Sequence, residues 1–394
     1  MTRAIAVIDG EHYPPVVRDA IAGLPYELVG AWLAGGTEKL RGDADYGVPL
    51  LATLEEGFPS AEVVVDLSDE PVLGPRDRFL LASRVLAAGL RYEGADFQFE
   101  PPQYASFPLP SLAVIGTGKR IGKTAVTGHV ARLLARDRNV IVVAMGRGGP
   151  AEPEVAVVKP TLDSLLELSR AGSHAASDYL ETAALTGVVT IGCRRAGGGL
   201  AGAVTMSNVL QGAALAAERE PDVVIFDGSG AAIPPIDVDA RILVTGGAQD
   251  PTAYLNAYRV LVSDLVVLIG EGDAQAVRAL KDVPVVRADL RLRPVAPLQG
   301  RPVAVFTTGP APTDHLDADV VAVSRHLADR TKLREDLARV EAEVYLVEIK
   351  AAAIDVVAEA ARERGVDVVF AENEVVSPEL DEAILRLVPT GARA

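Results

Sequence analysis

The chain has 394 residues, 49% of them hydrophobic, with 36 glycines, 26 prolines and a net charge of −16. That length predicts two or three domains, and the composition predicts a globular, loop-rich α/β protein rather than a disordered one. The acidity argues against nucleic acid as a partner, since a phosphate backbone demands a basic surface.

No apolar run approaches the 18 residues of a membrane span. The start, MTRAIAVIDGEHYPP, reads as a buried strand and a turn rather than a secretion signal. The single cysteine, Cys193, allows no internal disulfide, so a cytoplasmic setting is expected. An anionic small substrate remains compatible with the charge if the few cations are concentrated in one place.

In chain order, AIAVI (4–8), ELVGAWL (27–33) and AEVVVDL (61–67) read as strands. PPVVRDAIAGL and PRDRFLLASRVLAAGL read as helices between and after them. The proline cluster FEPPQYASFPLP (99–110) can continue neither a helix nor a central strand, and it marks a boundary. A second set of short apolar runs follows: SLAVI, NVIVVAMG, DVVIF (222–226), ARILVTG (240–246), LVVLIG (265–270) and VPVVRA (283–288). Such runs separated by helices predict a mostly parallel sheet covered on both faces. After Pro297 comes a third set: PVAVFTTG, ADVVAVS, AEVYLVEIK and VDVVFAE. The fold class read from this is α/β in three domains: 1–109, a central 110–296 and 297–394.

The central domain opens on GTGKRIGKT (116–124), between the strand SLAVI and a helix whose apolar positions Val126, Val130, Leu133 and Leu134 share one face. A glycine-rich turn at a helix N-terminus presents backbone N–H groups to phosphate, and the helix dipole favours negative charge there. In this reading Gly116, Thr117, Gly118, Gly122, Lys123, Thr124 and Ala125 hold ATP. Lys123 reaches the β- and γ-phosphates and Thr124 ligates Mg²⁺. The spacing is one residue longer than the common G-x-x-x-x-G-K-[ST], and it resembles the G-x5-G-K-T loop of dethiobiotin synthetase and its relatives. Two of the chain's seven lysines, Lys119 and Lys123, lie in this loop with Arg120. Three cations on nine residues predict more negative charge than ATP alone brings.

Asp227, ending the run DVVIF, is the expected carboxylate partner of the metal, whereas Asp222 lies at the opposite end of that strand and reads as structural. Arg147 in AMGRGGP, Lys159 in VVKPTLDS, and Arg194 and Arg195 in GCRRAGGG are further cations in or beside strand-ending loops, where ligands of open α/β sheets bind. Asp9 and His12 in DGEHYPP follow the first strand and suit either substrate binding or turn formation. Asp163 could assist the metal. His174 with Asp178 reads as a helix-surface pair, and Cys193 as an ordinary small side chain.

The loop GTGKRIGKTAVTGHVARLL, with IDGEHYPPVVRDAI (8–21), AMGRGGPAEPEV (144–155) and VEIKAAAIDVVAEAA (347–361), resembles the cyclic 2,3-diphosphoglycerate synthetase family along essentially the whole chain. The resemblance implies an ATP-dependent ligase that converts 2,3-diphosphoglycerate into its cyclic pyrophosphate, releasing ADP and phosphate. The catalytic set it suggests is Lys123, Lys119, Arg120 and Arg147, with Arg147, Lys159, Arg194, Arg195, Asp9 and His12 on the substrate. Two alternatives use the same loop. One is a 2-phosphoglycerate kinase, or another phosphoryl transferase acting on a small anion. The other is a nucleotide-dependent dimerisation switch, disfavoured by the short, mixed-charge ending PELDEAILRLVPTGARA. A homodimer is the expected assembly.

Overall fold

A computed structural model of the chain describes residues 1–39, 45–156, 178–246, 249–309, 311–348 and 353–388. They form two compact units, each built around its own sheet.

The first unit contains residues 1–103 together with 250–262 and 275–282. Its strands are β1 (Arg3–Ile8), β2 (Glu27–Leu33), β3 (Leu50–Leu51), β4 (Val63–Asp66), β5 (Arg91–Glu93) and β6 (Gln98–Phe99), in the order β3-β2-β1-β4-β5-β6. All pairs are parallel except β5–β6. Central β1 is buried from Ala4 to Ile8, as its continuous apolar run requires of a strand covered on both faces. Helix α1 (Pro14–Gly23) begins on two prolines whose fixed φ suits a first turn, and it buries Val17 and Ile21, one turn apart. Helix α2 (Pro75–Ala87) likewise starts on proline and buries Leu81, Ala82, Val85 and Leu86. Its Phe79 meets Tyr254 edge-on, with ring centroids 5.5 Å apart.

The second unit contains residues 104–249, 263–274 and 283 onward. Its strands are β7 (Ser111–Gly116), β8 (Val140–Gly146), β9 (Glu154–Ala156), β10 (Val189–Ala196), β11 (Met206–Ser207), β12 (Val223–Asp227), β13 (Ala240–Gly246), β14 (Leu265–Ile269), β15 (Val285–Pro294), β16 (Pro302–Phe306), β17 (Asp319–Ser324), β18 (Val344–Glu348) and β19 (Asp367–Val376). Among the described residues these 13 strands share one sheet. Its order is β11-β10-β8-β12-β7-β13-β14-β15-β19-β18-β16-β17, with β9 also on β10.

Pairing is parallel from β10 to β15 and again from β19 to β17. The two parallel runs meet at an antiparallel seam, Asp289↔Val376 through Pro294↔Ala371. Strand β15 makes this possible by its length: Val285–Ala288 pair with β14, and the remaining residues turn to β19. A boundary near residue 296 therefore divides stretches whose strands hydrogen-bond in one sheet.

Every residue of β7 and β8 is buried. Helices α3 (Lys123–Leu134), α4 (Asp178–Thr186), α5 (Val209–Ala217), α6 (Arg330–Arg339), α7 (Ala353–Arg364) and α8 (Leu380–Leu387) accompany the sheet. From β7 the chain passes to β8 on one side, beyond β12, and later to β13 on the other. The carboxyl end of β7 is thus a point where strand order reverses, which is where open α/β sheets form their ligand crevice.

Candidate active site

The strand-to-helix loop at that crevice runs from Thr117 to Gly122. Gly122 has φ +85°, a left-handed conformation that glycine adopts without a side-chain clash, and it delivers the chain into α3. Arg120 also has positive φ, +60°, an uncommon conformation for a residue with a Cβ. Thr117 is anchored below: its hydroxyl bonds Thr245 Oγ1 at 3.0 Å and Gln249 Oε1 at 2.7 Å. Lys119 and Arg120 are exposed, whereas Lys123 is buried.

Asp227 ends β12, the strand beside β7, and is fully buried. Lys123 Nζ donates to its Oδ1, and Thr127 Oγ1, one turn further along α3, donates to the same oxygen at 2.9 Å. Without this lysine a carboxylate at that depth would carry a desolvation cost of several kcal/mol. The oxygens of Asp227 and Thr124 are hard donors at the end of a phosphate loop, the set with which Mg²⁺ is held when substrate phosphates complete its shell. Among the described residues no group of three or more His, Cys, Asp or Glu is placed to hold a metal ion.

The cations converge beside this pair. Gly230, in the loop after β12, has φ +58°. A Cβ there would lie 3.2 Å from Arg147 Nη2, 3.6 Å from Lys119 Cγ and 3.8 Å from Arg195 Nη2. Arg195 is buried and held in place, donating to Gly197 O at 2.8 Å and to Ser229 O at 2.7 Å. Two cavities meet at Arg147. The larger, about 820 Å³, runs from the phosphate loop along α3 to the C-terminal stretch. The smaller, about 430 Å³, is lined by Arg147, Arg195, Gly197–Gly199, Ala231 and Ala232.

None of Arg194, Asp9, His12 and Asp222 is among the residues that line these two cavities. Arg194 and Arg195 are consecutive in β10 and project to opposite faces of the sheet, so Arg194 lines neither cavity. Its backbone N–H is bonded to Asn208 Oδ1. Asp9 and His12 belong to the first unit. Asp9 Oδ1 accepts from Glu11 N at 2.9 Å, His12 N at 3.1 Å and His12 Nδ1 at 2.9 Å, while Oδ2 accepts from Asp69 N at 2.7 Å. Burial alone would raise this carboxyl's pKa, but the donors from His12 and Asp69 outweigh it and hold it below the ordinary value. Asp222 Oδ2 accepts from Asn139 N, a structural contact at the far end of β12. Burial pushes the Cys193 thiol up to about 12, so it stays protonated and inert. Lys159, Asp163 and His174 lie outside the described residues.

Sequence reasoning missed Thr127, Gln249 and Gly230. Only Gly230 had a signal, as one of the small residues of DGSGAA that admit a close approach. Thr127 and Gln249 become visible once α3 and β13 are placed against the loop.

Three family models match successive stretches: the N-terminal domain of cyclic 2,3-diphosphoglycerate synthetase over residues 3–100, its P-loop domain over 111–284 and its C-terminal domain over 294–374. The chain belongs to the cyclic 2,3-diphosphoglycerate synthetase family. The synthetase of Rubrobacter xylanophilus is 48% identical, with 99% of this chain and 98% of that protein aligned. Those of Thermococcus kodakarensis and Methanothermus fervidus are 40% and 39% identical, with 97% and 98% of this chain aligned and 98% and 96% of theirs. The chain is therefore an enzyme, and its phosphate loop belongs to the P-loop domain of this family. No helix among the described residues is long and apolar enough to cross a membrane.

Proposed function

We propose that the enzyme makes cyclic 2,3-diphosphoglycerate from 2,3-diphosphoglycerate and ATP, releasing ADP and phosphate. The observation that carries this reading is the convergence of the Arg147 and Arg195 guanidiniums on Gly230, with the stem of Lys119 alongside and the phosphate-loop lysine nearby. ATP alone occupies a phosphate loop without such a cluster; a second polyanion gives it a purpose. Two unit charges 4 Å apart repel or attract by about 4 kcal/mol at an effective dielectric near 20. The bisphosphate is therefore drawn to the cavity of Arg147 and Arg195.

In this reading the backbone N–H groups of the loop, Lys123 and Thr124 take the ATP phosphates. Lys123 exchanges Asp227 for the β- and γ-phosphates when nucleotide arrives. Asp227 and Thr124 would hold Mg²⁺, which would supply charge neutralisation to the phosphates. One substrate phosphate oxygen attacks the γ-phosphorus and ADP leaves, forming a P–O–P bond. The other substrate phosphate then attacks the ester-linked phosphorus of that new group, expels inorganic phosphate and closes the ring. Lys119, Arg120 and Arg147 hold the two anions together and offset the charge that gathers at the bridging oxygens. We place the enzyme in the cytoplasm, in keeping with a single cysteine that allows no internal disulfide, and expect a homodimer, a state that light scattering would measure.

The test is ADP release with Mg-ATP, with and without 2,3-diphosphoglycerate, and phosphorus NMR of the product. A pyrophosphate-type resonance that needs both substrates and is absent with Lys123→Ala supports the reading. Turnover with 2-phosphoglycerate but not the bisphosphate would replace it with a kinase.

A further inference from the structure

The larger cavity has two ends of opposite chemistry. At the phosphate loop the cations are Lys119, Arg120, Lys123 and Arg147. At the other end the C-terminal stretch brings Thr308, Glu348, Glu372 and Asn373, with Leu290 and Leu292 as apolar wall. Glu372 is neutralised by Arg132, at 2.7 Å, and by Arg293. Glu348 is buried and organises its neighbours. One oxygen accepts from Thr308 N at 2.8 Å and Thr308 Oγ1 at 2.9 Å, and the other from Asn373 Nδ2 at 2.7 Å. An ionised carboxylate can only accept, which settles the Asn373 amide by chemistry. One N–H of its NH₂ is taken by Glu348, which leaves the carbonyl oxygen and the second N–H for a ligand.

Helix α3 connects the two ends. It presents Ala125, Gly128 and Arg132 to the cavity, spaced three and four apart on one face. A glycine inside a helix lowers its stability, yet no clash enforces this one: a Cβ at Gly128 would meet nothing nearer than Thr186 Cγ2, at 3.4 Å. Its effect is to leave room along the helix backbone. A nucleotide with its phosphates on the loop must continue either past Arg147 or along this face. The cationic direction suits the bisphosphate; the uncharged nucleoside suits the end whose carboxylates are already partnered.

We infer that this end is the adenosine pocket, in which the Asn373 carbonyl oxygen accepts from the adenine 6-amino group. Leu290 and Leu292 flank the base, and Glu348 is a positioning residue that holds the Asn373 amide. The base is then selected by the C-terminal stretch, not by the phosphate loop. Hypoxanthine and guanine carry a carbonyl oxygen where adenine carries the amino group, so two acceptors would face each other. The inference rests on the ATP-dependent reading above.

The experiment compares ATP, inosine triphosphate and purine riboside triphosphate as substrates of the full chain, alongside calorimetric titration with a non-hydrolysable ATP analogue. Wild-type enzyme should prefer ATP to inosine triphosphate by about tenfold or more in kcat/KM, with purine riboside triphosphate between them. In Asn373→Ala the KM for ATP should rise about tenfold, with kcat and the KM for 2,3-diphosphoglycerate within twofold, and the ATP preference should vanish. Glu348→Gln, which frees the amide to turn, should weaken the preference as well. An unchanged preference in folded Asn373→Ala overturns the inference. So does a raised KM for the bisphosphate with that for ATP unmoved. Should Asn373→Ala not fold, Gly128→Leu fills the same end; an unmoved KM for ATP there, or no base preference in the wild type, is equally fatal. Calorimetry separates the two readings. A wild type that binds no ATP analogue removes the ATP-dependent reading itself, whereas equal binding by wild type and Asn373→Ala removes only the pocket.

Discussion

Two strand-to-helix turns in this chain look alike in sequence and behave differently in structure. One follows β1 with DGEHYPP, and the other follows β7 with GTGKRIGKT; both leave the carboxyl end of a parallel strand for a helix. In the first, Asp9 takes four donors from its own turn and from the β4 turn, and its polar groups satisfy one another. In the second, the glycines contribute no polar side chain, Lys119 and Arg120 stay exposed, and a cavity of about 820 Å³ opens beside the loop. A turn whose polar atoms are saturated holds the chain; one whose cations face open space is equipped for a ligand.

The contrast can be broken most severely at Lys123. Lys123→Ala should lower kcat by a factor of about 10³ or more, read as ADP release, if the loop supplies phosphate stabilisation. Circular dichroism should show the fold kept but melting at a lower temperature, because buried Asp227 loses its lysine. Next comes Arg195→Met. It should raise the KM for 2,3-diphosphoglycerate about ten- to a hundredfold and leave that for ATP within twofold, since Arg195 lines only the smaller cavity. Equal effects on both substrates would erase the division between the cavities.

Gly230→Val should act more gently on activity, about tenfold in substrate KM, while lowering stability by about 1–3 kcal/mol through strain at positive φ. Thermal melting separates the two effects.

Asp9→Asn sharpens the other side of the comparison. Activity should stay within about twofold, but stability at pH 7 should fall by about 1–3 kcal/mol as charge-assisted donors are lost. Because folding lowers the Asp9 pKa, its carboxylate adds stability above the ordinary carboxyl range, and that contribution fades as pH falls through the folded value. The melting difference between wild type and Asp9→Asn should therefore shrink as the pH falls below the ordinary carboxyl value. The smallest effect is at Cys193: with the thiol pushed up to about 12, alkylating reagents at pH 8 should label the native protein far more slowly than the unfolded chain.

Much of this architecture could be read before any coordinates. Buried parallel strands announce themselves as unbroken apolar runs, and ELVGAWL, SLAVIG and ARILVTG coincide with β2, β7 and β13. The phosphate loop was equally plain, because glycine spacing, lysine and threonine must be adjacent in the chain for their backbone amides to cradle one phosphate. The strands β5, β6, β9 and β11, of two or three residues each, carry too little periodicity to be seen. Strand β10 hid for another reason: its polar end, CRRA, reads as the start of a glycine loop.

Local chemistry alone thus dictated the βα succession, the glycine-rich loop of the P-loop domain and the carboxylate that ends the neighbouring strand, since each depends on residues within a few positions of one another. Folding in three dimensions decided everything that depends on distant partners. It sent Arg195 toward Lys119 and Arg147 while its neighbour Arg194 points away. It joined β15 to β19 across some eighty residues, and it set Glu348 and Asn373 in one wall with α3. Side chains that far apart in the chain share no period or spacing; only the packing of the sheet and its helices fixes the distance between them.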